Sequence, residues 1–252
     1  MRHLIIICCF FIKCIVAQTS SSIQTDRPDQ TECPYIVPVK FIQIENGLLF
    51  ENVNNKMKAY SLPSVLWKYG VNEKFELRLI TELNSIQHEA DVYIGISPIT
   101  LGFKTNLCKE KGILPLTSFI GHIATSKIGY KIFNTSYLAP AFRFTMQHSL
   151  SNRFSLGYNL GYEWDGESSN PNFIYTLTTG VSITNKIGGY VEFFGNSQNK
   201  IFSENKFDGG LTYLISDDFM IDASGGFDII NYNHTNFFSL GCSYRFKTYK
   251  TK

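Results

Sequence analysis

The sequence predicts an all-β fold: a transmembrane, antiparallel, up-and-down β-barrel of about twelve strands. Three observations carry that prediction. Apolar and polar residues alternate with a period of two along most of the chain after Val39, the signature of strands with unlike faces. Aromatics make up 15% of the residues and charged groups only 17%, against roughly 25% charged in soluble domains. No apolar run approaches the ~20 residues of a membrane-crossing helix, yet mean hydropathy is a bland −0.06, as alternating strands average to. The soluble alternative is a secreted β-sandwich with its apolar faces turned to a dry core. Gly, Ser, Asn and charged residues opposite the apolar faces favour the barrel. So do aromatics near strand ends (Tyr69, Phe75, Phe154, Trp164, Phe219, Tyr244, Phe246), where interfacial girdles form. The apolar content excludes a disordered chain, and a formal charge of +2 excludes the basic surface of a nucleic-acid binder.

Taken in order, residues 1–18 read as a cleaved secretory signal. Met1-Arg2-His3 precedes an apolar run from Leu4 to Ile12, and a small residue, Ala17, stands at the exit. Cleavage after Ala17 or Gln18 removes Arg2 and Lys13 and brings the formal charge to about zero. Residues 19–37 form a polar segment expected on the periplasmic side. Residues 38–247 form the barrel, and 248–252 a short tail. Strands are expected near 39–51, 57–69, 74–86, 91–106, 112–126, 138–149, 153–165, 171–184, 188–197, 205–216, 218–230 and 235–247. Tight turns at Val71-Asn72-Glu73, Ser151-Asn152-Arg153, 185–188 and Ser216-Asp217-Asp218 alternate with longer polar links at Gly166–Pro171, Gln198–Asn205 and Asn231–His234. That alternation matches short periplasmic turns and longer outer loops.

The polar faces supply a candidate lumen set: Glu45, Glu76, Arg78, Glu82, Lys104, Arg143, Glu163, Glu192, Asp208, Asp222, Asp228 and Arg245. Acids outnumber bases in it, which leans towards cations or polar neutral solutes. In Asp26-Arg27-Pro28-Asp29 the plain reading is a turn fixed by Pro28. The sharper one makes these four residues a periplasmic plug, with Arg27 pairing lumen carboxylates such as Glu45 or Glu76 through its planar fork. Three cysteines remain after the signal, Cys33, Cys108 and Cys242; a Cys33–Cys108 bond is conceivable outside the cytoplasm, but their number and spacing are no disulfide framework.

Thr25-Asp26-Arg27-Pro28-Asp29, followed by Gln43-Ile44-Glu45-Asn46-Gly47, resembles the opening of the outer-membrane transporter family named for the meta-pathway of phenol degradation. Lys68–Val71 with Phe75–Leu79, Asp208–Tyr213 with Asp222–Gly226, and Gly241–Phe246 agree in order. The resemblance implies an outer-membrane barrel that passes small molecules, without established catalytic residues. Its expected partners are outer-membrane lipid, the barrel-assembly machinery and an unidentified small solute, with no nucleic acid. Many barrels finish on an aromatic residue; here the one that closes the last strand is Phe246, and a short tail follows it.

Neither catalysis nor a cofactor is expected. His148-Ser149 are neighbours on a strand and point to opposite faces. Ser118 and His122 share a face about 13 Å apart, too far for a nucleophile and its base. No Cys/His spacing resembles a metal site. The remaining alternative is a non-conducting scaffold barrel, since wide aqueous channels belong to larger barrels.

Overall fold

The computed structural model describes residues 22–54, 56–198, 201–229 and 235–248, with the backbone alone for 201–204. The strand segments are β1 (Phe41–Asn54), β2 (Met57–Asn72), β3 (Phe75–His88), β4 (Asp91–Ile96), β5 (Thr100–Cys108), β6 (Leu116–Ala124), β7 (Ala139–Ser149), β8 (Phe154–Glu163), β9 (Asn172–Ser182), β10 (Ile187–Gln198), β11 (Ile201–Ser216), β12 (Phe219–Asp228) and β13 (Asn236–Lys247). Each pairs antiparallel with its neighbours, and β1 closes onto β13 with Phe41 opposite Lys247. β4 and β5 lie end to end along β3: Asp91–Ile96 against Leu83–His88, and Thr100–Thr105 against Phe75–Ile80. They are two halves of one stave, so the wall is a closed barrel of twelve staves.

The expected strand 91–106 is therefore broken, at Ser97-Pro98-Ile99. Pro98 cannot donate to a ladder. Beyond it the long β6–β7 link takes over, with Tyr130 N–H donating to Ile96 O at 2.7 Å and Ile99 N–H to Ile128 O at 3.1 Å. The expected strand 112–126 shortens to Leu116–Ala124, because Lys111 and Leu114 close a bridge of their own. The long link expected over Gln198–Asn205 is instead mostly strand: β10 runs to Gln198 and β11 starts at Ile201, the ladder absorbing a bulge at Asn196/Ser197. The signal region, Asn231–His234 and residues 249–252 lie outside the described residues.

Because β1 starts where β13 ends, both described chain ends lie at one end of the barrel. The turns at Glu73-Lys74, Leu150–Arg153, Ile183–Lys186 and Asp217-Asp218 lie at that end. The links Thr125–Leu138 and Trp164–Pro171 lie at the other.

The wall is apolar outside and polar inside. Outward Leu77, Val191 and Leu211 are 50%, 52% and 58% exposed, whereas inward Lys104, Glu76, Asn159 and Ser118 are fully buried. Outward rings touch from strand to strand, as in Phe75–Phe103, Phe103–Phe119, Phe119–Phe142, Phe142–Tyr162 and Tyr162–Phe173. Trp164 falls just past β8, its indole N–H donating to Ser169 O at 3.3 Å. In water such a surface would be costly at roughly 25 cal/mol per Å²; against acyl chains it costs nothing comparable.

Candidate functional site: the barrel interior and the N-terminal segment

Residues 22–40 run inside the barrel rather than beside it. A non-strand chain there must find a partner for each backbone donor or acceptor it buries. Wall side chains supply many of these. Glu45 Oε2 accepts the amides of Asp26 and Arg27, at 2.9 and 3.2 Å. Glu192 Oε2 accepts Gln30 N–H at 2.7 Å, and Glu76 Oε2 accepts Val37 N–H at 2.8 Å. Asn159 meets Glu32 reciprocally, accepting its N–H at 2.8 Å and donating to its carbonyl at 3.1 Å. Lys104 donates to Cys33 O at 2.7 Å, and Ser118 Oγ to Pro34 O at 2.6 Å. Ile23 N–H donates to Asp217 O in the β11–β12 turn at 2.8 Å.

Charge pairing holds one side of this segment. The Asp26 carboxylate lies 2.8 Å from Lys104 Nζ, 3.0 Å from Lys68 Nζ and 3.2 Å from an Arg78 nitrogen, all nearly fully buried. Lys68 also pairs with Glu45. Glu32 takes Arg78 at 2.6 Å and Arg143 at 3.4 Å. Burial alone would raise the Asp26 carboxyl, but Lys104, Lys68 and Arg78 hold it well below the usual carboxylate range. Burial is likewise overcome at Glu32, where Arg78 and Arg143 bring the pKa to about 2. Removing one partner from such a cluster leaves an uncompensated buried charge.

Arg27 does not pair with Glu45 or Glu76, as the sequence reading has it. Its guanidinium reaches Asp222 at 2.9 Å and Ser239 Oγ at 2.8 Å. Glu45 is already occupied by Lys68 and by two backbone amides, and Glu76 by Val37. The fork lies flat on two facing glycines, Gly47 of β1 and Gly241 of β13. A Cβ there would come within 2.0 and 2.4 Å of it, so only glycine leaves room.

The other candidate residues sit as follows. Pro28 is buried and Asp29 half-buried at the turn of the segment. Glu82 accepts from Ser64 at 2.7 Å. Arg245 pairs with Asp218 at 2.7 Å and covers the Phe41 ring. Glu163 lies 3.9 Å from Arg143, and Asp228 is half-buried opposite Lys206. Sequence reading missed Lys68, Glu32, Gln43 and Asn159. Gln43, 1% exposed, donates to Gln24 O and to Glu45; Gln43 and Asn159 are uncharged, but their inward parity on β1 and β8 was a usable signal.

The opposite side of the segment meets acids. Glu192, between Tyr190 and Phe194 on β10, takes the hydroxyl of Thr31 as well as Gln30 N–H, and Thr31 Oγ1 also lies 2.6 Å from Thr176 Oγ1. Asp208, opposite Glu192 on β11, accepts from Tyr190 OH at 2.8 Å. Among the described residues no ion pair reaches Asp29, Glu192 or Asp208. Burial, and then Glu192, push the Asp29 carboxyl well above its usual range. A cavity of about 420 Å³ lies along this side at the chain-end mouth, and another of about 140 Å³ towards the far end.

The serine–histidine pairs form no catalytic arrangement. Ser118 spends its hydroxyl proton on the Pro34 carbonyl, and His122 lies over Gly102. His148 faces outward against Tyr158 at 3.3 Å, while Ser149 bonds to Glu110. Cys33 and Cys108 are free thiols rather than a disulfide. Among the described residues no His, Cys, Asp and Glu group has metal-binding geometry.

No curated protein sequence matches the chain. Among solved structures, the COG4313 outer membrane channel from Pseudomonas putida F1 superposes with a TM-score of 0.63 at 10% identity, over 87% of this chain and 99% of that one. The KdgM porin, in complex with disordered oligogalacturonate, gives 0.55 at 8% identity over 81% and 99%. The NanC porin gives 0.55 at 10% identity over 81% and 98%. At such identities the likeness is one of fold, that of outer-membrane β-barrels. A family match over residues 25–246 takes in the inner segment and nearly all of the barrel wall, and it shows that the chain belongs to the family described as "Putative MetA-pathway of phenol degradation".

Proposed function

We propose that the protein is an outer-membrane channel for small solutes, closed by its own N-terminal segment acting as a plug. The observation that carries this is how the segment is held. Its inner stretch is bonded by side chains of the wall and adds no strand to it, so it can leave without opening the barrel. The twelve charged residues named from sequence then serve as lumen lining, and Asp26, Arg27, Pro28 and Asp29 as the core of the plug. On this reading the signal, residues 1–18, is removed during export, and the assembly machinery inserts the barrel with both chain ends in the periplasm. Transport is passive and involves no chemical step. Selectivity comes from lumen width and facing charges.

Liposome swelling tests this directly. Vesicles carrying the mature protein should swell slowly in small sugars and amino acids, and vesicles carrying a Δ24–32 variant several times faster. Equal, negligible swelling for both would leave a scaffold barrel instead.

A further inference from the structure

The plug is gripped unequally. Asp26 and Glu32 share four cations of β2, β3, β5 and β7, and Arg27 is paired with Asp222. Between these anchors, the turn Pro28–Thr31 faces the β9–β11 wall. There the segment brings Asp29 towards Glu192 and Asp208, carboxyl against carboxyl. One Asp208 carboxylate oxygen, on a residue 2% exposed, has no hydrogen-bond partner among the described residues. What holds this corner is a small latch, with Gln30 N–H and Thr31 OH on Glu192 and Thr31 against Thr176.

Two cavities meet at this latch from opposite ends. The larger, about 420 Å³, is lined by Asp29, Thr31 and the Asp222-paired Arg27 on the plug and by Arg153, Thr178 and Tyr190 on the wall. The smaller, about 140 Å³, is lined by Gln30 on the plug and by Thr176, Phe194, Asn196 and the paired Arg143 and Glu163 on the wall. Along β10 the order is Tyr190, Glu192, Phe194, and along β9 it is Thr178, Thr176, Ile174. The latch is thus the partition between two stacked cavities on one side of the lumen.

We propose that the channel opens at this corner: the Pro28–Thr31 turn lifts off Glu192 and Thr176 while the Asp26 anchor stays seated. The two cavities then join into one path along β9 and β10. The freed Glu192 carboxylate, beside Asp29 and Asp208, makes that path prefer cations. The inference rests on the plug reading and goes beyond it, because it places the gate and names the class of solute.

Planar-bilayer recording of the full mature chain tests it. Thr31→Val, which takes the latch hydroxyl off Glu192 and Thr176 and leaves the carboxyls in place, should raise open probability roughly tenfold, the size of losing a buried hydrogen bond. Glu192→Gln should shift the reversal potential in a KCl gradient towards chloride. A Thr31→Cys/Thr176→Cys pair, in a chain with Cys33, Cys108 and Cys242 replaced by Ala, should lose its openings on oxidation and regain them on reduction. Heat-modifiable gel migration confirms that each variant is folded. Unchanged gating in Thr31→Val and in the cysteine pair, together with unchanged selectivity in Glu192→Gln, would overturn the inference. If Δ24–32 still raises conductance in that case, the plug stands and only its gate lies elsewhere; if Δ24–32 is also silent, the plug reading fails as well.

Discussion

Asp26 is the residue around which the inner segment is organised. Lys104 has no nearer carboxylate, since Glu76 stands 3.9 Å away. Asp26→Asn should therefore cost about 3–5 kcal/mol, the usual penalty for a broken buried pair, read as lower stability in urea unfolding from liposomes. Gly47→Val tests a different contact. Its side chain would occupy the place of the Arg27 guanidinium, so it should raise conductance while the barrel still assembles. The pH dependence follows from the shifted carboxyls. A group whose folded pKa lies below its unfolded value stabilises above the unfolded value, and that stability is lost as pH falls through the folded one. Asp26 starts from 3.8 and Glu32 from 4.5, falling to about 2. Seating of the plug should hold from neutral pH to about pH 5 and weaken progressively towards pH 2. Asp29 runs the other way: its raised pKa favours the seated state in acid, and that contribution fades as pH rises. Two carboxylates holding four cations should outweigh it. Conductance recorded from pH 7 down to pH 2.5 should rise below about pH 4; a steady fall would contradict the pairing.

At the scale of strands, period-two alternation was enough to find the staves and their outward faces, because one face of every strand meets lipid and the other does not. It failed where the ladder slips. On β2 the pairing passes from Ser61 opposite Leu49 to Ser64 opposite Gly47, stepping over Leu62-Pro63. Inward positions are odd before that bulge and even after it. Counting by twos from Met57 therefore turns Lys68 outward, although Lys68 is 2% exposed. The break between β4 and β5 has a similar origin in Pro98, whose missing donor marked a place where pairing could stop. Outward parity carries its own prediction. Leu177, mid-strand on β9 and 49% exposed, should cost about 2–4 kcal/mol when replaced by Arg, the penalty for a cation near the bilayer midplane. Denaturant titration of the liposome-inserted protein measures it.

For the whole molecule, the short stretches that carried the family resemblance are places where wall and inner segment touch. Asp26 and Arg27 meet Glu45, Gly47, Lys68, Arg78, Asp222 and Gly241, drawn from strands at both ends of the sequence. The segment's polar character and the wall's inward charges were legible in one dimension. Which acid met which base was not, since it depends on how far the chain has climbed inside the barrel by the time it reaches each stave. Arg27 illustrates this: its partner is a late-strand carboxylate, 195 residues away. Closure of the wall by β1 and β13 brings those distant stretches together, and the same closure leaves the segment outside the strand ladder, as the proposed plug requires.

Single-channel conductance of the Δ24–32 chain, set beside the full mature chain in the same bilayer, tests that claim most directly. The account predicts discrete openings severalfold larger or more frequent once the segment is gone. Identical traces from the two proteins would contradict it.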